Sequence, residues 1–393
     1  MTDRRCRCTV AVVGVVLASC GGVRSVPRAA PVAGGPCVTP ARWLIPASGR
    51  EDTTPDVIAR AARSRIVLLG ELHDQADHHR WQLQTVAALA ALRPSIVLGF
   101  EMFPRRAQPV LDRWVAGEID VATLLRDSDW ARVWGFPPSL YVPLFEFARL
   151  NRVPMRAVNV DRALVARVGR EGWAAVPAAE REGISEPAPA TPAYEAALAE
   201  VQAAHGGQRA GDEAARRRFV EAQLTWDRAL AEGLADAARA HPDALIVGIM
   251  GSGHLERGQG VPHQLAALGV RDVTVLLPWD ASRECSALAP DVADAVFGIA
   301  PVAVPETGPR LGVTLAPAEG GGARVAEVAR GSVGASAGLR RGDVIVGAAG
   351  TAVVNPSDLR AVVEIQAPGT WLPLRVRRNG RERQVVARFE PAS

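Results

Sequence analysis

The runs RIVLLG (65–70), SIVLGF (95–100), VPMRAV (153–158), ALIVGIMG (244–251) and DVTVLL (272–277) limit what this 393-residue chain can fold into more than any other feature. Each is apolar almost throughout and closed by polar or glycine residues. A strand with one wet face alternates apolar and polar side chains, whereas a continuous apolar run suits a strand buried on both faces of a parallel sheet. Helix-period segments separate the runs, at 75–93, 105–115, 142–150 and about 212–240. In the last, Phe219, Trp226, Leu230 and Leu234 recur at helical spacing and read as a core stripe. The alternation predicts an α/β fold, a mainly parallel sheet covered by helices, with ligands gathered beyond the carboxyl ends of the strands.

Polar groups stand at those ends. Glu71 and His73 follow the first run, Glu101 the second and His254 the fourth. GELH (70–73) and GSGH (251–254) share the pattern Gly-x-x-His, in which glycine lets the chain turn before the histidine is presented. Two imidazoles with carboxylates can hold iron or a divalent metal, so Glu71, His73, Glu101 and His254 form the candidate metal set. The same four can instead polarise a water or an alcohol. His73 would then be the base, Glu101 its orienter or a metal ligand, and His254 a ligand or a stabiliser of developing charge. Asp74 reads as a helix cap and His78 as a solvated residue; His79 shares a stripe with Leu83 and Val86, which leaves open both an inward place near the site and a purely structural one. Neither a Gly-x-Ser-x-Gly elbow nor a His-Glu-x-x-His helix occurs.

The first 20 residues read as a signal peptide: Arg4, Arg5 and Arg7 precede an apolar run from Val10 to Ala18 that is too short to span a bilayer. Leu17, Ala18, Ser19 and Cys20 resemble the bacterial lipobox, which implies lipidation of Cys20 and a membrane anchor. Gly21 and Gly22 in place of an aspartate imply the periplasmic side of the outer membrane. Residues 21–45 read as a flexible tether, 46–280 as the α/β domain, 281–309 as a proline-bearing linker and 310–393 as a second, β-rich domain. Cys37 and Cys285 then remain in an oxidising compartment, either paired or as two thiols. A net charge of +3, from 45 basic and 42 acidic residues, gives no electrostatic footprint for nucleic acid.

VLLGELHDQADHHRWQLQTVAAL, IVLGFEMFPRRAQPVLDRW, YVPLFEFARLNRVPMRAVNVDR, EAQLTWDRALAEGL and GIMGSGHLERGQGVPHQLAALG look like the successive blocks of the ChaN family, over about residues 50–280. Members are haem-binding, iron-regulated lipoproteins related to the Tiki metalloproteases and erythromycin esterases. The resemblance implies haem as cofactor, a role in haem or iron acquisition, and a site at a homodimer interface built from a tyrosine and a histidine. Tyr141 is the matching tyrosine, with Trp134, Phe136 and Phe145 nearby, and His73 or His254 the accompanying histidine; Tyr194 is the weaker candidate. The hydrolytic relatives imply the alternative, a metal-dependent hydrolase using Glu71, His73, Glu101 and His254.

RLGVTL (310–315) and SAGLRRGDVIVGAAGTAV (336–353) look like a bacterial PDZ domain. That resemblance implies capture of a peptide or protein C-terminus, with Leu311, Gly312 and Val313 in the carboxylate loop and 357–363 as the helix walling the groove.

Overall fold

The computed structural model describes residues 36–204, 213–300, 309–364, 366–367 and 369–390. Cys20 and the signal segment lie outside the described residues. The first sheet has eight strands: β1 (Trp43–Ile45), β2 (Arg50–Asp52), β3 (Ile66–Leu69), β4 (Ile96–Pro104), β5 (Met155–Asn159), β6 (Leu245–Ile249), β7 (Val273–Asp280) and β8 (Ala295–Ile299). Their spatial order is β2-β1-β8-β7-β3-β6-β4-β5. All five strands expected from the apolar runs are present, adjacent and parallel.

Their continuous hydrophobicity serves two cores. Val67, Leu69, Leu98, Phe100, Val247 and Ile249 point to one face, where Trp81, Trp114, Trp130 and Phe145 cover them. Ile66, Leu68, Val97 and Ile246 point to the other, under Leu230, Leu234, Val261 and Leu265. The helices Ala76–Leu92, Gln108–Val115, Val142–Leu150 and Glu213–Ala240 match the helix-period segments closely.

Two boundaries need correction. The stretch expected as linker contains β8, which pairs parallel to β7 and antiparallel to β1. The stretch expected as tether is folded from Pro36 onward: Trp43 is buried, and Cys37 is disulfide-bonded to Cys285 with 5.3 Å between Cα atoms. Proline-rich flanks hid strands of only three to five residues, too short to set up a readable period.

The second domain is an antiparallel sheet of β9 (Val313–Pro317), β10 (Ala323–Val328), β11 (Val344–Ala348), β12 (Thr351–Ala352), β13 (Trp371–Arg378) and β14 (Arg381–Arg388). Five of these lie in the order β14-β13-β11-β10-β9, with β12 paired to β11. The expected helix is Pro356–Glu364. In the Arg-Arg-Gly-Asp turn, the buried Asp343 accepts from Arg378 Nε at 2.6 Å and Nη2 at 2.7 Å, and from the Arg340 amide at 2.8 Å. Burial alone would raise the Asp343 pKa, but the Arg378 guanidinium outweighs it and holds the carboxyl below its usual range.

Candidate functional site

Parallel pairing puts the ends of β3, β4 and β6 on one edge of the sheet, and with them Glu71, His73, Glu101 and His254. Glu71 is buried, and its Oε1 lies 2.8 Å from His73 Nδ1 and accepts the Tyr141 hydroxyl at 2.8 Å. Its Oε2 lies 3.3 Å from His79 Nδ1. Burial alone would raise the Glu71 pKa; the bonds and positive potential of His73 and His79 outweigh it and bring it down to about 2. For His73 burial works downward, and the bond to Glu71 with the charges of Glu101 and Glu71 more than reverses it, leaving the pKa above the ordinary histidine value.

Glu101 lies inside β4, which runs four residues past the expected end at 100. Its Oε2 accepts the Gly251 amide at 2.7 Å, and its Oε1 lies 3.4 Å from His254 Nε2. The other ring nitrogen of His254, Nδ1, lies 2.6 Å from Asp227 Oδ1. With a carboxylate facing each nitrogen, the charged form of His254 is favoured. Burial alone would lower its pKa, but Glu101 and Asp227 raise it to about 10. A Cβ at 251 would lie 3.0 Å from His73 Cε1 and 3.2 Å from His73 Nε2, so the His73 ring edge packs closely over Gly251.

The remaining site expectations fare differently. Tyr141 has no solvent-exposed surface, and burial together with the Glu71 charge pushes its phenol far above its ordinary pKa. His79, left open by the sequence, turns inward, its Nε2 3.1 Å from the His73 carbonyl and its ring 4.3 Å from that of Tyr141. His78, expected in solvent, is buried: its Nδ1 accepts the Leu72 amide at 2.9 Å and its Nε2 lies 3.1 Å from Asp280 Oδ1. The loop after β3 is thereby pinned to the end of β7. Asp74 caps nothing, because the helix starts at Ala76 and the capping position falls to Gln75. Sequence reasoning missed Asp227 altogether. Its signal was an acid three residues before Leu230 and seven before Leu234, on the helix's apolar stripe.

Trp134 and Phe136 flank the His73 ring, with centroids 4.7 and 5.2 Å away. Of the four candidate metal ligands, Glu101 has one oxygen on the Gly251 amide and the other beside His254, while Glu71 engages His73 and Tyr141 through Oε1 and its buried Oε2 makes no hydrogen bond, 3.3 Å from His79 Nδ1. Among the described residues no group of three or more His, Cys, Asp or Glu side chains is arranged to hold a metal ion.

In the second domain, β9 is an edge strand, and a groove of about 690 Å³ runs between it and the helix, lined by Leu311, Gly312, Val313, Leu315, Leu359 and Val363. Gly312 has φ +67° and a Cβ there would fall 2.3 Å from Ser332 Cβ, so glycine is required in this loop.

Fold and site together define a class: a parallel α/β domain with histidine–carboxylate couples at its carboxyl edge, followed by a β domain with an open edge strand. The family model described as "Haem-binding uptake, Tiki superfamily, ChaN" matches residues 57–265, more than half of the chain, and a PDZ model matches 309–387. The chain belongs to the ChaN haem-binding family and carries a C-terminal PDZ domain.

Among solved structures, ChaN of Campylobacter jejuni with cofacial haem is 17% identical, with a TM-score of 0.53 over 65% of this chain and 95% of that one. The HtrA3 PDZ domain bound to the phage-derived ligand FGRWV is 26% identical, covering 20% of this chain and 82% of that one at a TM-score of 0.18. Erythromycin esterase EreC is 14% identical, covering 61% and 77% at a TM-score of 0.37. No curated protein matches the chain.

Proposed function

We propose that the protein is a lipid-anchored haem- or iron-binding lipoprotein on the periplasmic side of the outer membrane, serving haem or iron acquisition. In this reading its PDZ domain recruits a peptide or protein C-terminus. The observation that carries the haem assignment is the setting of His73. Its Nδ1 is held by a buried carboxylate, its Nε2 lies beside Gly251 with no hydrogen-bond partner among the described residues, and its ring is partly exposed beside two aromatic side chains. This arrangement suits a histidine that ligates iron, because a carboxylate on one nitrogen fixes the tautomer and raises the basicity of the other. The donor set fits haem through His73. Tyr141 then supports Glu71 and is not the iron ligand, since its oxygen is buried and committed. Bound haem would supply an iron centre and a strong visible absorption band.

Export is supported by the segment ending at Cys20 and by the Cys37–Cys285 disulfide, which belongs to an oxidising compartment. Peptide capture is supported by the free edge of β9, to which an extended chain can add as a strand.

Haemin titration tests the reading. A saturable shift of the Soret band is expected in the full chain and in Tyr141→Phe, and its loss in His73→Ala. The reverse pattern, binding lost in Tyr141→Phe and kept in His73→Ala, would overturn the assignment.

The hydrolase alternative, using Glu71, His73, Glu101 and His254, draws on one observation: His254, with a carboxylate at each nitrogen, is built to carry a proton. Esterase or peptidase activity that is lost in His254→Ala, together with no haemin shift, would favour it.

A further inference from the structure

The chain has two tyrosines, and both do the same thing. Tyr141 donates to Glu71 Oε1 at 2.8 Å, and that carboxylate holds His73 Nδ1. Tyr194 donates to Asp227 Oδ2 at 2.8 Å, and that carboxylate holds His254 Nδ1. Both tyrosines and both carboxylates are buried. The two sets come from unrelated elements. One is built from the turn after β3 and the start of helix Val142–Leu150; the other from helices Pro192–Ala204 and Glu213–Ala240 and the turn after β6. In both, Nδ1 faces the protein. Nε2 of His73 lies beside Gly251 with no hydrogen-bond partner among the described residues, and Nε2 of His254 faces Glu101, whose other oxygen holds the Gly251 amide.

Asp227 is poorly explained as a stabilising residue. The adjacent Arg228 turns to Glu232 and Ser185, so among the described residues the one ion pair of Asp227 is with His254. Gln223 Nε2 also approaches His254 Nδ1, at 3.2 Å. A buried polar pair of this kind is generally no more stabilising than apolar side chains of the same volume. Its distinctive effect is on orientation, as with the carboxylates that aim metal-binding histidines.

We propose that Asp227, supported by Tyr194, is a positioning residue of the ligand site, holding the His254 ring so that its Nε2 stays on Glu101. Glu101 is then kept on the Gly251 amide, and the Nε2 of His73 is left for the ligand. Two histidines that look equivalent in the sequence thus divide the work: His73 meets the ligand, and His254 fixes the floor beneath it. The proposal rests on the haem reading for the ligand's identity, but the orientation of His254 is testable without it.

The experiment uses the full chain with ¹⁵N-labelled histidine. In the unsubstituted protein both ring nitrogens of His254 are expected to carry protons, Nδ1 toward Asp227 and Nε2 toward Glu101. In Asp227→Asn the Nδ1 signal is expected to move or disappear, with far-UV circular dichroism unchanged. The haemin Kd is expected to rise about 10- to 100-fold, the usual cost of removing the partner that orients a ligating group. Tyr194→Phe keeps the carboxyl and is expected to shift the same resonance with a smaller rise in Kd, so it carries the test if Asp227→Asn does not fold. An unchanged His254 Nδ1 signal, or an unchanged haemin Kd with that signal altered, overturns the proposal while the haem reading stands. Failure of the unsubstituted protein to bind haemin sinks the haem reading, and the Nδ1 measurement alone then decides the role of Asp227.

Discussion

At the carboxyl edge of the first sheet, polar side chains from segments far apart in sequence are sunk and paired with one another; in the PDZ domain, the groove is the open edge of β9 walled by apolar side chains. The first site depends on which side chains are present, the second mainly on where the backbone runs. Removing one member of a buried set leaves its partners unsatisfied in a medium that cannot solvate them. A backbone groove loses little when a lining side chain changes, but it fails when its loop can no longer take its path.

Glu71→Ala tests this contrast at its strongest point. It strips His73, His79 and Tyr141 of their common partner and should cost about 3–5 kcal/mol of stability. Urea unfolding followed by tryptophan fluorescence reads this domain, since Trp371 is the one tryptophan beyond residue 279. Gly312→Val, a backbone lesion in the PDZ loop, should cost roughly 1–3 kcal/mol through positive φ and the Ser332 contact. Faster hydrogen exchange over β10, which pairs with β9, would report it. If Glu71→Ala proves no costlier than Gly312→Val, the contrast fails. The finest comparison lies between close neighbours in one turn. His78→Ala should cost about 1–3 kcal/mol by orphaning the Leu72 amide, and Asp74→Ala should stay within about 0.5 kcal/mol. Thermal melts of the two variants would reverse their ranking if Asp74 were the cap and His78 the solvated residue.

The parallel sheet was legible because burial on both faces writes hydrophobicity into every position of β3 and β6, where nothing polar interrupts the run. The end-of-strand residues followed from topology alone, since parallel strands bring Glu71, Glu101 and His254 to one edge whatever the intervening chain does. Asp227 was not legible in that way, as it reaches the site from the side of a 28-residue helix. Nor was the position of His78, because its burial depends on Asp280, which lies 202 residues away. The strand β2 was hidden by composition: Arg50, Glu51 and Asp52 form an edge strand whose charges carry no core signature.

The Cys37–Cys285 bond has a mechanical consequence. In sheet order, β1 and β2 form the outer edge, and each is only three residues long. A pull transmitted from ahead of Pro36 would peel such strands away one hydrogen bond at a time. The disulfide passes that load instead to the connection between β7 and β8, inward of both short strands. A load arriving at Cys37 would then reach the β7–β8 connection without first crossing the three-residue edge strands, and reducing that one bond would return it to them.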